Sequence, residues 1–175
     1  DTKEFITELK NQKVKFTDTA GFWQPDTLLT KKALEKTAVA IHSSDLVLFI
    51  VDARKGLTAE DFEVIKLVRK SGKKVILAAN KSEGRMEVTA NDLYKLGFGE
   101  PNYISSAHGL GVGELCDKIA AIRAELFLEN DTKWNVENES EEVIEAERSL
   151  KLSVIGRPNV GKSTLFNALL GFERV

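Results

Sequence analysis

Cysteine is nearly absent from the sequence: Cys116 stands alone, so no intrachain disulfide can form and a reducing compartment suits the chain. Its place beside Leu115, Ile119 and Ile122 in a helical spacing makes it a small apolar filler. Clustered positive charge is missing as well. The 25 lysines and arginines are scattered among 27 acids for a formal net charge of -2, which excludes a broad phosphate-neutralising face. Neither DNA nor direct RNA contact is therefore expected. There is no apolar run long enough to cross a bilayer and no basic, apolar leader, so no membrane partner is expected and a cytoplasmic location follows. The chain opens on Asp1 rather than methionine, which suggests a piece of a longer protein. What is present is ordinary for a folded domain, with 42% hydrophobic and 30% charged residues. A length of 175 residues accommodates one domain with a real core but not two complete ones.

Hydrophobic periodicity then divides the chain. Glu4 to Leu9 and Val14 to Asp18 read as short strands around the polar turn Lys10-Asn11-Gln12. Thr27 caps a helix to His42, with Leu28, Leu29, Ala33, Leu34, Thr37, Ala38 and Ile41 at helical spacing. Asp45 to Asp52 is a continuous apolar run bounded by acids, as a parallel strand covered on both faces requires. The alternation continues with a helix from Thr58 to about Lys70, a strand from Lys74 to Ala79 and a helix from Val88 to Leu96. A strand from Asn102 to Ser105 and a helix from Gly111 to Leu126 complete it. This pattern predicts a doubly wound α/β domain.

Composition shifts at residue 127. Between Glu129 and Glu147, the acids Glu129, Asp131, Glu137, Glu139, Glu141, Glu142, Glu145 and Glu147 face Lys133 alone, a self-repelling stretch that reads as a solvated linker over 127–149. Trp134 can anchor it by burying its ring. Leu150 to Ile155 is a strand again, followed by a glycine-rich turn and the helical pattern Leu165, Phe166, Ala168, Leu169, Leu170, which Gly171 is expected to end.

The chemistry lies at four places. Gly156-Arg157-Pro158-Asn159-Val160-Gly161-Lys162-Ser163 satisfies G-x-x-x-x-G-K-S/T between an apolar strand and a helix that opens through Thr164. Backbone N–H groups of Asn159 to Ser163 can turn inward around phosphate oxygens, with the helix N-terminus adding favourable partial charge. Lys162 neutralises the outer phosphates, and Ser163 offers its hydroxyl to Mg²⁺. Asp18-Thr19-Ala20-Gly21 closes a strand where a carboxylate can hold Mg²⁺ through water and the Gly21 N–H can meet a γ-phosphate. Asn80-Lys81-Ser82-Glu83 follows a buried strand and resembles the guanine-reading N-K-x-D of GTPases. A carboxylate there accepts from guanine N1–H and its 2-amino group, which adenine does not match. Asn80 contacts the other base edge and Lys81 lays its stem over the purine. Glu83 departs from the pattern by one methylene. Ser106-Ala107, within Ser105 to Gly109, resembles the S-A-x-G loop that supports guanine O6; His108 is a loop residue with no nucleophile to pair with.

Together these residues look like four of the five GTPase motifs, with the switch loop and its Mg²⁺-binding threonine missing. The run from Gly156 to Asn167, followed by Ala168 to Val175, closely resembles the opening of the second G domain in the Der (EngA) family of tandem GTPases, within the TrmE-Era-EngA-like group. Lys3 to Leu126 is similar to the later part of the first. The resemblance implies a Ras-like P-loop NTPase fold, doubly wound, with a mostly parallel sheet and helices on both faces. It implies GTP and GDP as ligands with Mg²⁺, GTP hydrolysis, and a role in large ribosomal subunit biogenesis with that subunit as partner. Phe22 resembles the apolar residue of GTPases that lack a water-orienting glutamine, and Asn159 the asparagine that coordinates K⁺ in this group. By the same resemblance Lys162 and Asn159 are the catalytic candidates.

The phosphate loop comes last in the chain, after the base-reading motifs. Either the chain runs from inside one G domain (1–126) through the linker into the start of a second (150–175), or it is a circular permutation. The first is expected. The strand and helix from Leu150 to Gly171 then have an open slot in the first sheet to fill, in their own chain or a neighbour's. A non-hydrolysing GTP- or GDP-sensing scaffold and an adenine-nucleotide enzyme are the rival functions.

Overall fold

A computed structural model describes residues 3–18, 27–131 and 149–172. Strands β1 (Lys3–Leu9) and β2 (Gln12–Asp18) form an antiparallel hairpin. Lys10 and Asn11 both take positive φ, 51° and 60°, the two-residue turn whose twist matches that of the flanking strands. Gln12 already belongs to β2, so the turn is one residue shorter than the polar run suggests.

Helix α1 spans Thr27–Ser43, β3 Leu46–Asp52, α2 Ala59–Ser71 and β4 Lys74–Asn80. The short helix α3 (Ala90–Tyr94) and strand β5 (Asn102–Tyr103) follow, then α4 (Val112–Asp131), β6 (Leu150–Ile155) and α5 (Lys162–Phe172). At α2 the Thr58 N–H and hydroxyl both donate to Asp61 Oδ2, at 2.9 and 3.2 Å, and Gly72 ends the helix at φ 66°.

The sheet order is β1-β2-β6-β3-β4-β5, parallel throughout except for the opening hairpin. β6 is thus an inner strand, with Phe16 opposite Leu152 on one side and Leu46 opposite Leu152 on the other. Successive β3 residues point to opposite faces, so every one of them is buried. Leu46, Leu48 and Ile50 pack with Leu152, Val154, and with Leu115 and Ile119 of α4 and Leu165 and Leu169 of α5. Val47, Phe49 and Val51 pack with Ile41 of α1, Val64, Ile65 and Val68 of α2, and Leu93 of α3. Phe166 of α5 stacks on both hairpin strands, its ring 4.5 Å from Phe5 and 5.3 Å from Phe16. Ser153, buried in β6, donates its hydroxyl to Ala40 O at 3.0 Å, tying the strand to α1.

Some boundaries differ from the expectation. Gly171 does not end α5, which runs to Phe172; no left-handed φ occurs at Gly171, and without one glycine is simply a weak helix residue. α4 continues to Asp131, past the helix end expected at Leu126. α3 is confined to Ala90–Tyr94 by the Thr89 cap, whose hydroxyl accepts from Asp92 N–H. β5 stops at Tyr103, with Ser105 bridged to Leu110 instead. Trp134 and the acidic run 132–148 lie outside the described residues.

Candidate nucleotide-binding site

The helices after β6 and β3 go to opposite faces of the sheet: α5 lies with one core and α2 with the other. Adjacent parallel strands that diverge in this way leave a crevice at their carboxyl ends, where open α/β sheets bind ligands. Gly156 leaves β6 there, and a Cβ on it would stand 2.5 Å from Ile50 O of β3, so a side chain would push the two strand ends apart. The loop then reverses through Asn159 at φ 62° and Gly161 at φ 101°. Gly161 is constrained twice, by its left-handed backbone and because a Cβ would come within 2.2 Å of Asn80 Nδ2. Pro158 is half-buried, Val160 is fully buried and anchors the loop, while Asn159, Ser163 and Thr164 are exposed.

Lys162 opens α5 and is buried, with its ammonium inside the arch of the loop, donating to Gly156 O at 2.7 Å and Arg157 O at 2.9 Å. The Leu165 N–H closes onto Gly161 O at 2.8 Å in the first turn of α5. A cation, a tight loop reversal and a helix N-terminus are the features from which an anion site can be built.

The second component is the end of β4. Asn80 is buried and joins three loops: Nδ2 donates to Val160 O at 2.8 Å, and Oδ1 accepts from the Ser106 N–H and hydroxyl, both at 2.9 Å. Oδ1 and one Nδ2 hydrogen are thus engaged by protein, and the amide carries a second Nδ2 hydrogen besides. Lys81, at φ 65°, donates to Asn159 O and to Asp52 Oδ2, both at 2.6 Å. The Ser82 N–H and hydroxyl both go to Ile104 O, at 3.1 and 2.9 Å, which fixes the loop on the strand leading to Ser105. Glu83 pairs with Arg54. Its carboxyl is held below the usual range by its own backbone N–H, then by the nearby Ser105 hydroxyl, with a smaller contribution from Arg54. Ala107 is exposed in the turn that follows Ser106.

Sequence reasoning gave no role to Asp52, Asp61 or Arg54. Burial raises the Asp52 pKa, but the Lys81 hydrogen bond and charge and the N–H groups of Lys55 and Arg54 together hold it below 3.8. A carboxyl with a depressed folded value contributes stability that is complete above the unfolded value and is lost as the pH falls through the folded one. In urea titrations, Asp52→Asn is therefore expected to flatten the loss of stability that the wild type shows as the pH falls below about 3.8. Parallel curves would mean the pairing with Lys81 contributes nothing. Its signal in sequence was the acid closing β3 at the same register as Asn80.

Arg157 lies in the phosphate loop, but its side chain is committed to the start of α2. Its Nε stands 3.2 Å from Asp61 Oδ2, and Nη2 donates to Gly56 O at 3.3 Å. Asp61 is fully buried, and burial outweighs Thr58 and Arg157 to raise its pKa. Thr58 was legible as the start of α2; its partner Asp61, and the Arg157 that meets it, were not. Asp18 ends β2 opposite Val154, so the chain leaves β2 beside the phosphate loop. Thr19, Ala20, Gly21 and Phe22 lie outside the described residues.

A family model described as 50S ribosome-binding GTPase matches residues 1–81 and 151–175. These two blocks include every strand from β1 to β4 together with β6, which are contiguous in the sheet. The chain is 42% identical over 171 residues to GTPase Der of Caldanaerobacter subterraneus subsp. tengcongensis, covering 96% of this chain and 36% of the relative. It is 43% identical over 160 residues to GTPase Der of Rhodopseudomonas palustris, covering 90% and 34%. With GTPase Der of Thermotoga neapolitana it shares 39% over 178 residues, covering 99% and 38%. The chain therefore spans little more than a third of the length of these curated relatives. Among the described residues no helix is long and apolar enough to cross a membrane.

Proposed function

Since this chain belongs to the 50S ribosome-binding GTPase family, we propose that it binds GTP and GDP at the carboxyl edge of β6, β3 and β4, and that the protein it belongs to hydrolyses GTP. The observation that carries this reading is Asn80, whose amide joins the phosphate loop at Val160 to the base-side loop at Ser106. A phosphate cradle and a purine pocket held at one fixed spacing suit a single nucleotide. Lys162 and the amides from Asn159 to Ser163 take the phosphates, the stem of Lys81 takes one face of the base, and Ser106-Ala107 flanks its edge.

Mg²⁺ draws most of its oxygens from phosphates and water and needs few from protein. The exposed Ser163 hydroxyl and Asp18 at the end of β2 are the residues that would hold it, and there it would neutralise charge on the phosphates. Asn159, exposed at the turn of the loop, is the residue we assign to K⁺. Residues 1–126 and 150–175 make one nucleotide-binding unit on this reading, with β6 supplied from beyond the acidic connection. Large-subunit ribosome assembly in the cytoplasm, with that subunit as partner, is the setting we propose.

The test is a titration with fluorescently labelled GDP and ADP in Mg²⁺. GDP is expected to bind about tenfold or more tighter than ADP, because adenine lacks the donors that a carboxylate reads. Equal affinity, or no binding of either, refutes the reading. Single-turnover GTP cleavage with and without K⁺ separates a hydrolase from a scaffold.

A further inference from the structure

Glu83 stands at the position of the base-reading carboxylate, yet neither of its oxygens is offered to a ligand. Oε1 pairs with the Arg54 guanidinium through Nη2. Oε2 is enclosed by protein, with the Ser105 hydroxyl next to it. The Glu83 side chain is only 16% exposed, while that of Arg54 is 51% exposed. Arg54 is in turn rooted at the site, since its N–H donates to Asp52 Oδ1 at 3.0 Å and Asp52 holds Lys81.

Guanine presents two donors on one edge, N1–H and the 2-amino group, and a carboxylate that reads both must present its oxygens to that edge. We propose that Arg54 is a positioning residue that sets base selectivity by holding Glu83 turned away, so that guanine recruits the carboxylate only by displacing the guanidinium. The pair is partly exposed, so solvent screening makes it weak enough for a base to open and strong enough to be felt as a several-fold penalty. The penalty falls on guanine more than on hypoxanthine, because hypoxanthine keeps N1–H but lacks the 2-amino group and gains less from a released carboxylate. This selectivity step rests on the proposed nucleotide site and adds a competitor to it.

The test measures dissociation constants of GDP and inosine diphosphate for the wild type, Arg54→Ala and Glu83→Asp. Arg54→Ala is expected to tighten GDP about three- to tenfold and inosine diphosphate less, raising the ratio of the inosine diphosphate constant to the GDP constant. Glu83→Asp draws the carboxylate back from Arg54 by one methylene and is expected to raise the same ratio. It carries the test should Arg54→Ala fail to fold. Unchanged or weaker GDP binding by a folded Arg54→Ala variant overturns the proposal while leaving the nucleotide site standing. A wild type that binds neither nucleotide overturns both.

Discussion

Leu152→Asp is expected to abolish cooperative folding of this chain. Leu152 is completely buried, paired with Phe16 on one side and Leu46 on the other, within the core shared by α4 and α5. An aspartate there trades a buried apolar side chain for a carboxylate without a partner, a change that costs more than about 4 kcal/mol. Folded domains are stable by about 5–15 kcal/mol, so little or nothing remains. The damage spreads because β2 and β3 are not paired with each other; each pairs with β6. Loss of β6 leaves two unpaired edges facing an empty slot in the sheet. The milder Leu152→Ala is expected to cost about 2–5 kcal/mol and to keep the fold, giving a graded series in urea unfolding. If Leu152→Asp melts cooperatively at the wild-type midpoint, β6 does not lie where it is described. Sedimentation across a wide concentration range gives a complementary result: a strand supplied by its own chain yields a concentration-independent monomer, whereas exchange between copies yields a dimer that dissociates on dilution.

Lys162→Ala carries the second large effect, on ligand rather than fold. The ammonium lies inside the arch, with Gly156 O and Arg157 O as acceptors. These are neutral carbonyls of its own loop, and phosphate oxygens are stronger acceptors for a cation. Charge-assisted hydrogen bonds are worth about 1.5–3 kcal/mol each, so removing the ammonium is expected to weaken GDP binding about 10- to 150-fold. The change also takes the donor from Gly156 O and Arg157 O, so the ligand-free variant is expected to stay folded but to melt at a lower temperature than the wild type. Unaltered GDP affinity in a folded variant would remove the phosphate loop from the site and, with it, the proposed function.

Local pattern was informative wherever one element's own chemistry suffices. The unbroken apolar run of β3 announced a strand covered on both faces, since no one-sided strand tolerates buried side chains at every position. Thr58 announced the start of α2. The glycines and lysine of the phosphate loop were legible because their backbone geometry and charge are demanded at fixed spacing. Side-chain partners were less legible. That Asn80 also ties Val160 and Ser106, 80 and 26 residues away, was not legible, because only folding brings their polar groups to its amide. Arg157 read as part of a ligand loop, whereas a fully buried Asp61 on another element claims its guanidinium. Glu83 read as an open carboxylate until Arg54 was placed beside it.

The amino-acid sequence alone determined the α/β class and the positions of the strands and helices to within a few residues, and it marked four short stretches as candidates for holding phosphates and a purine. Those are properties of near neighbours, set by periodicity and by what a glycine, a lysine or a carboxylate can do locally. Tertiary structure decided that a strand from the far end of the chain occupies the middle of the sheet, and which polar side chains face each other across the crevice. Burial makes that decision: an inner strand must match two partners at once, and a polar atom shut away from water takes whichever partner the fold brings within reach.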